Sequence, residues 1–143
     1  TSKNSMLVNG IGQKRYTDAV WDCNEKEMWS DAAPAYFKYA KKVARKVSLT
    51  EEGILLEDEF ITDPVTWHEI RFLTRGNFIE LAPGKWEVKR ENTSIIMEIS
   101  SQVELHINSC DAPPSLATRP VARMLRVCTK KAHNETKIKT LIK

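Results

Sequence analysis

Cysteine is scarce in this sequence. Cys23, Cys110 and Cys128 are the three in 143 residues, and no two of them are spaced as a CxxC pair. An odd number without metal-ligand spacing argues against both a disulfide framework and a zinc cluster. Free cysteine is among the most often buried residue types, so we interpret all three as small buried hydrophobes. A disulfide between one pair of these cysteines is the alternative if the protein is exported.

Long apolar runs and an excess of one charge are also missing. Runs such as Ile54-Leu55-Leu56 fall far below the roughly 18 apolar residues that a membrane-spanning helix needs, so we expect no membrane span. The 22 Lys and Arg against 19 Asp and Glu leave a net charge of +3. This balance lacks the concentrated basic stripe of nucleic-acid-binding proteins, and we expect no nucleic acid partner.

No assembled catalytic site can be read from the sequence. It contains no nucleophile elbow, and its histidines are widely separated. His68 and His106 share strand faces with apolar neighbours, which is typical of hydrogen-bonded core or rim histidines, and His133 is assigned to a loop. A small metalloenzyme using His68 and His106 is a remote alternative. We expect no catalytic residue in this chain.

What the sequence does contain is a series of short strand-like segments separated by turn signals, with no internal repeat. The predicted strands are 19–23, 27–29, 43–49, 53–61, 66–73, 78–81, 86–90, 93–99, 103–107, 122–129 and 137–142. The segment 31–43 has helix-like spacing, but we predict a loop there that leads into the strand beginning at Val43. The fold class is therefore all-β, an antiparallel β-sandwich or stacked antiparallel sheets with little or no helix, and a meander is the simplest topology.

Two segments allow finer predictions. Thr50 to Gly53 connects strands 43–49 and 53–61 as a hairpin, and Asp63-Pro64 is predicted to end the second strand. Residues 66–73 alternate, which places His68 on one face of a half-buried strand and Trp67 on the other.

Charged residues form two clusters. Glu57-Asp58-Glu59 is interpreted as a solvated strand edge in which only Asp58 points inward. The densest positive cluster is interpreted as a solvated face, with contact to an acidic polymer as the alternative. This basic cluster consists of Lys38, Lys41, Lys42, Arg45 and Lys46.

The four tryptophans suit either a core or a stacking platform for sugar rings. Trp67 is the best platform candidate because its strand face also carries Glu69 and Arg71. Trp21 and Trp29 are predicted to be buried.

We expect one domain over residues 1–143. Its opening run, Asn4 to Gln13, starts in mid-strand with a glycine-rich turn, so we expect the chain to be a C-terminal piece of a larger protein.

Three groups of residues then follow one another in a specific order. They are Asn4-Ser5 with Leu7-Val8-Asn9-Gly10 and Gln13, then Ser30-Asp31-Ala32-Ala33-Pro34-Ala35-Tyr36, and then Val43-Ala44-Arg45-Lys46-Val47. This order resembles the C-terminal β-rich region of the heparinase II/III-like polysaccharide lyases. In that family, a stretch of the form His-Asn-Thr, apolar, Asn/Asp-Gly and Gln is followed by a loop, an Arg-bearing strand and an Asp-bearing return strand. In this sequence Asp58-Glu59-Phe60 corresponds to the return strand. The resemblance covers about the first 75 residues, and each motif alone is short.

The resemblance implies a β-sandwich that follows a helical toroid in one polypeptide, with uronate-containing polysaccharide cleaved by β-elimination in the cleft between them. The family's catalytic Asn, Tyr and His belong to segments outside this chain, so the isolated chain is expected to be inactive. The implied partners are an acidic polysaccharide, through the parent protein, and the N-terminal helical catalytic domain. The implied location is periplasmic or secreted.

Some members of the family also bind a metal in the β region through the His of the His-Asn-Thr motif. This sequence has Lys3 at that position, and an ammonium group cannot ligate zinc unless it is deprotonated. We therefore expect no metal and no other cofactor.

Polar and cationic side chains facing such a cleft would hydrogen-bond sugar hydroxyls or pair with uronate carboxylates. The predicted glycan contacts are Asn4, Asn9, Gln13, Lys14, Arg15 and Trp67, and ordinary solvated turn residues are the alternative interpretation. A freestanding carbohydrate-binding or adhesion-type β-sandwich without catalysis is the alternative function, in which Trp67 and Trp86 would be the main contacts.

Overall fold

Extended backbone dominates the computed structural model, which describes residues 5–14, 17, 19–36, 40–112 and 122–143. Within these residues the chain forms twelve strands and one 3₁₀ turn, Ala33–Tyr36. The strands are β1 (Met6–Val8), β2 (Val20–Cys23), β3 (Glu27–Asp31), β4 (Ala40–Thr50), β5 (Gly53–Thr66), β6 (His68–Thr74), β7 (Asn77–Ala82), β8 (Lys85–Arg90), β9 (Thr93–Ser101), β10 (Leu105–Asp111), β11 (Arg123–Thr129) and β12 (His133–Ile142). No helix among the described residues is long and apolar enough to cross a membrane.

Two antiparallel sheets pack face to face. The short sheet has four strands in the order β1-β6-β11-β10, and the long sheet has eight in the order β2-β3-β4-β5-β12-β9-β8-β7. The predicted all-β antiparallel sandwich is therefore confirmed. We call the faces that the two sheets turn towards each other the inner faces.

The meander prediction was wrong. Strand β12 lies between β5 and β9 in the long sheet, and β6 leaves that sheet to join β1 and β11 in the short one. Alternation of apolar and polar residues indicates that a strand is half-buried, but it does not indicate which sheet the strand joins.

The hairpin of β4 and β5 is confirmed, with Thr50 opposite Gly53 at its turn. The prediction that Asp63-Pro64 ends the second strand was wrong, because β5 continues to Thr66 through a cis Asp63–Pro64 peptide. The ladder between β5 and β12 shifts register between His133 and Glu135, opposite this segment. A proline is tolerated at such an irregularity because no regular ladder bond has to be donated there.

The core lies between the two inner faces. Its fully buried apolar side chains include Phe60, Ile70, Leu125 and Ile138. Tyr36 anchors the 3₁₀ turn against β1, since its buried hydroxyl donates a 2.6 Å hydrogen bond to the Met6 carbonyl oxygen. Burial raises the pKa of Tyr36 to about 12, so this donor keeps its proton. In the described part of the predicted loop, Asp31 ends β3 and Ala33–Tyr36 form a 3₁₀ turn; the loop prediction was wrong for residues 40–42, because β4 begins at Ala40.

Two burial predictions were wrong, for different reasons. Trp21 is 66% exposed because it lies on the inner face of β2, where the long sheet extends beyond the short one. Trp29 is 41% exposed because it lies on the outer face of β3, in the row of Lys46 and Glu57. Trp86, on β8, is instead buried at 4%. Cys23 on β2 is exposed, while Cys110 and Cys128 are half-buried and unbridged, so the expected burial of all three cysteines fails as well.

An ion pair lies inside the sandwich. Asp58 points inward as predicted, is 1% exposed, and accepts hydrogen bonds from Arg45 Nε at 2.6 Å and Nη2 at 2.9 Å. The Arg45 guanidinium also lies over the Phe72 ring, 5.9 Å from its centroid. Burial raises the pKa of the Asp58 carboxyl, and Arg45 opposes this effect. Arg45 is therefore no part of a solvated basic face, and Asp58 is no part of a solvated edge.

Candidate functional site

A groove of about 800 Å³ opens at one end of the short sheet, and we call it the Trp67 groove. It lies where the turn after β1, the start of β6, the start of β10 and the end of β11 meet. Its lining residues are Asn9, Gly10, Trp67, His68, Glu69, His106, Arg126, Cys128, Thr129 and Lys130.

The turn after β1 forms one wall of the groove. Asn9 and Gly10 have φ angles of 50° and 73°, the left-handed conformation that an Asn-Gly hairpin turn requires. Val8 and Ile11 close the turn through reciprocal backbone hydrogen bonds of 3.0 and 2.9 Å. A glycine at the second position avoids the steric cost that a side chain would bring in this conformation.

The same turn is fixed against Trp67. The Asn9 N–H donates to the Trp67 carbonyl oxygen at 2.8 Å, and the Trp67 N–H donates to Asn9 Oδ1 at 3.0 Å. The structure thus brings together two of the residues predicted to contact a glycan. Asn9 fixes the backbone that holds the indole at the groove.

Trp67 itself is 52% exposed, on the face opposite His68, as the alternation of the sequence predicts. An exposed indole is a flat apolar surface that the rest of the fold does not use. Its chemistry suits stacking against the apolar face of a sugar ring.

Glu69 and Arg126 form the charged side of the groove. Arg126 donates to both carboxylate oxygens of Glu69, from Nε at 3.0 Å and from Nη2 at 2.9 Å, and Arg71 donates to Oε1 as well. Burial alone would raise the pKa of Glu69, but the hydrogen bonds from the two arginines outweigh it and lower the pKa to about 2. Glu69 is therefore a fixed carboxylate that positions Arg126.

His106 and Lys130 complete the rim, and sequence reasoning did not assign either to this groove. His106 is exposed and lies opposite Cys128 in the pairing of β10 with β11. Lys130 is half-exposed, and its Nζ lies 3.8 Å from Glu104, a loose pair that leaves the ammonium accessible. Only the pairing register of β10 with β11 would have identified His106 and Lys130, because it brings residues that are far apart in the sequence to the same end of the short sheet.

The other titratable groups at the groove are held in structural roles. Burial raises the pKa of the Cys128 thiol to about 11, so it stays protonated and is a poor nucleophile. His68 is fully buried, with Nε2 at 2.9 Å from Thr66 Oγ1 and 3.1 Å from Thr62 Oγ1, and Nδ1 at 2.7 Å from Thr136 Oγ1. Its ring stacks on Phe60 with 4.7 Å between centroids.

This environment confirms His68 as a hydrogen-bonded core histidine. Burial lowers its pKa to about 4, with a smaller contribution from His133. Because both ring nitrogens are bonded to threonines, His68 is not available as a metal ligand, and His106 lies exposed at the rim. His133 begins β12, so its assignment to a loop was wrong. Within the described ranges no three His, Cys, Asp or Glu side chains are grouped to hold a metal ion.

The remaining predicted contacts do not line the Trp67 groove. Gln13 and Lys14 are exposed, and the Lys14 N–H donates at 2.9 Å to the Ala35 carbonyl oxygen, beside the 3₁₀ turn. Asn4 and Arg15, like Lys3, lie outside the described residues.

No protein-family model matches the chain, and no curated protein matches its sequence. Solved structures do match its fold. A heparinase III is similar with a TM-score of 0.74 at 14% identity, and a second heparinase III structure with 0.73 at 12%; each match covers 97% of this chain and 23% of the solved chain. A mutant heparan sulfate lyase from Pedobacter heparinus has a TM-score of 0.70 at 10% identity, covering 97% of this chain and 24% of that one. The chain therefore has the fold of about a quarter of these longer proteins.

Proposed function

We propose that this chain is the C-terminal β-sandwich domain of a heparinase II/III-like polysaccharide lyase. The observation that supports the proposal most is the similarity of almost the whole chain to one part of heparinase III and of a heparan sulfate lyase. In this proposal the parent protein cleaves a uronate-containing polysaccharide by β-elimination. The domain forms one wall of the glycan cleft, stabilises the helical catalytic domain and is inactive alone. A periplasmic or secreted location belongs to the same proposal.

The Trp67 groove supports a role in glycan contact. Trp67 offers a stacking surface, while Arg126 and Lys130 offer positive charge for a carboxylate of the glycan. Glu69 neutralises part of that charge and keeps the Arg126 guanidinium in place, so the groove is built to bind rather than to transfer protons. Asn9 contributes through the turn that holds Trp67.

Replacing Trp67 with alanine tests the groove directly. We expect the dissociation constant for a size-defined heparan sulfate oligosaccharide, measured by isothermal titration calorimetry, to rise about tenfold through loss of stacking. Trp21→Ala is the matched control, because Trp21 is also an exposed tryptophan, at 66% against 52% for Trp67, and lies on the long sheet, outside the groove. Equal affinity of the wild type and Trp67→Ala would contradict the role of the groove.

Gln13, Lys14 and Arg15, in the segment that follows β1, remain proposed contacts, as does Asn4, which precedes β1 in the sequence. In the parent enzyme, Gln13→Ala and Arg15→Ala are each expected to lower kcat/KM about fivefold or more, because each removes a hydrogen bond to the glycan and Arg15 also removes a charge. Steady-state kinetics on heparan sulfate measures this effect. Unchanged kinetics in both variants would remove this segment from the cleft while leaving the Trp67 groove untouched.

The exposed Trp67 is also compatible with a freestanding carbohydrate-binding module without catalysis. Trp86, the second aromatic that this alternative relied on, is buried in the core. A helical domain of a few hundred residues encoded upstream of this segment would exclude the alternative, whereas a second β-sandwich there would support it.

A further inference from the structure

The short sheet does not cover the whole inner face of the long one. At the end that carries the β2–β3 and β4–β5 turns, four large apolar side chains of this face are between 40% and 66% exposed, and they are Trp21, Met28, Leu49 and Ile54. Together with their neighbours they form a surface that we call the open inner face. It consists of Trp21, Cys23, Met28, Val47, Leu49, Ile54, Leu56 and Ile142.

The strand register shows that these side chains form one surface. Leu49 lies opposite Ile54, and Ile54 lies opposite Ile142. Ile142 in turn lies opposite Met97, a core residue that is 3% exposed. The next row crosses β2, β3, β4 and β5 through Cys23, Met28, Val47 and Leu56. Trp21 stands one row further, in the row of the inward Arg45–Asp58 pair, so the open inner face is a direct continuation of the core.

The open inner face carries no net charge. Among the described residues of β2, β3 and the parts of β4 and β5 next to their turn, Arg45 and Asp58 are the charged ones that face inward, and they neutralise each other. The other charged side chains there face outward, and they are Asp22, Glu27, Asp31, Lys46 and Glu57. The charged residues of the two turns, Glu25, Lys26, Glu51 and Glu52, lie at the rim. This face therefore suits an apolar protein surface rather than an ionic ligand.

Strands β2 and β3 keep this inward pattern beyond the edge of the short sheet. Their inward positions hold Trp21, Cys23, Met28 and Ser30, whereas their charged residues all face outward. A strand with water on both faces gains nothing from a row of exposed apolar side chains, and contiguous patches of this kind mark interaction surfaces. The pattern is thus that of a sheet with one buried face.

The occupant that we assign to this face rests on the proposed function, in which the chain shares a polypeptide with a helical catalytic domain. Each match to a solved structure covers only 23% or 24% of the solved chain, so most of those proteins lies outside this fold. A domain tethered in the same polypeptide acts at an effective concentration of roughly millimolar. A second copy of this chain reaches that concentration only in very concentrated solution, so the tethered domain has the advantage.

We propose that the open inner face is the surface through which this domain packs against the helical catalytic domain of the parent protein. Trp21 is its anchor, because it is the most exposed side chain of the face and large aromatic residues dominate the energetics of such interfaces. The face is separate from the Trp67 groove. Ile54 lies at the start of β5 and Trp67 follows the far end of that strand, so packing at one surface leaves the other accessible.

Cys23 makes the proposal testable without a substitution, because its thiol is an exposed member of the open inner face. We expect alkylation of Cys23 by iodoacetamide, followed by peptide mass spectrometry, to be about tenfold slower in the intact parent protein than in this chain alone. The matched control is Val20→Cys with Cys23→Ser. Its thiol lies on the outer face of the same strand, where Val20 is 61% exposed, and should react at the same rate in both proteins.

The outcomes separate this surface from the proposed function. Trp21→Ser with Met28→Ser, made in the intact parent, should restore most of the lost reactivity of Cys23. Equal reactivity of Cys23 in the parent and in the chain alone would overturn the docking surface, while cleavage of heparan sulfate by that parent would leave the proposed function standing. Reactivity in the chain alone that falls as its concentration rises would assign the face to a second copy and overturn the proposal. A parent without a helical domain would overturn both.

Discussion

Replacing Arg45 with methionine is expected to lower the free energy of unfolding by about 3–5 kcal/mol, because the substitution leaves the Asp58 carboxylate without its partner. Asp58 is 1% exposed, and the bidentate contact with Arg45 supplies the two hydrogen bonds described above. Methionine preserves much of the apolar stem that packs near Phe72, so the loss reports mainly on the charge. Urea denaturation followed by far-UV circular dichroism measures it.

The pH dependence of the Arg45→Met variant identifies the cause. Burial raises the pKa of Asp58, and without Arg45 nothing in the pair opposes that effect. A group whose pKa is raised in the folded state contributes stability at low pH that is lost as pH rises through the folded pKa. The variant should therefore regain stability on acidification, relative to wild type. Replacing both partners, Arg45→Met with Asp58→Leu, should recover most of the loss, since no buried charge remains. A loss below about 0.5 kcal/mol in the single variant would contradict this account.

The second large effect is a loss of stability on mild acidification, caused by His68. Burial lowers its pKa in the folded protein to about 4, below the ordinary histidine pKa of about 6.5, so the unfolded chain binds the proton first. Stability is therefore complete above pH 6.5 and falls as pH falls from about 6.5 to 4, by about 3 kcal/mol in total. Below pH 4 both states are protonated and His68 adds no further loss.

The slope of unfolding free energy against pH, measured between pH 7 and pH 4.5, checks this expectation. His68→Gln should be less stable at pH 7, because the threonine network and the Phe60 stack are disturbed, and its slope in this window should be nearly flat. His106→Gln is the matched control, since His106 is exposed. Glu69 acts in a different window: its pKa is lowered to about 2, so its contribution is lost only between about pH 4.5 and 2. An unchanged slope in His68→Gln would show that another group causes the acid loss.

Local sequence patterns predicted most strands and the exposure of Trp67. Alternation at the start of β6 places His68 and the preceding Trp67 on opposite faces, and the turn signals at Thr50–Gly53 and Asn9-Gly10 correspond to real turns. These features depend on residues close in the chain, where backbone preferences and strand periodicity decide the outcome.

The rest depends on pairing between distant strands. Glu69 meets Arg126 because β6 lies beside β11, and nothing in either segment specifies that neighbour. The same holds for His106 and Lys130, and hence for half of the candidate site. Trp21 and Trp29 look like core residues in sequence, but the burial of Trp21 depends on the widths of the two sheets and that of Trp29 on which face of the long sheet it occupies, neither of which the local pattern encodes.

The central place of β12 has a consequence for how the chain reaches this fold. This strand pairs with β5 on one side and β9 on the other, joining two halves of the long sheet that are not otherwise paired with each other among the described residues. Ile138 and Asp58, which pair in this ladder, are far apart in the sequence. Closing the large loop between them costs chain entropy before the hydrogen bonds between β5 and β12 can form. High contact order of this kind slows folding. During synthesis, the edges of β5 and β9 that pair with β12 therefore stay unpaired until β12 emerges from the ribosome.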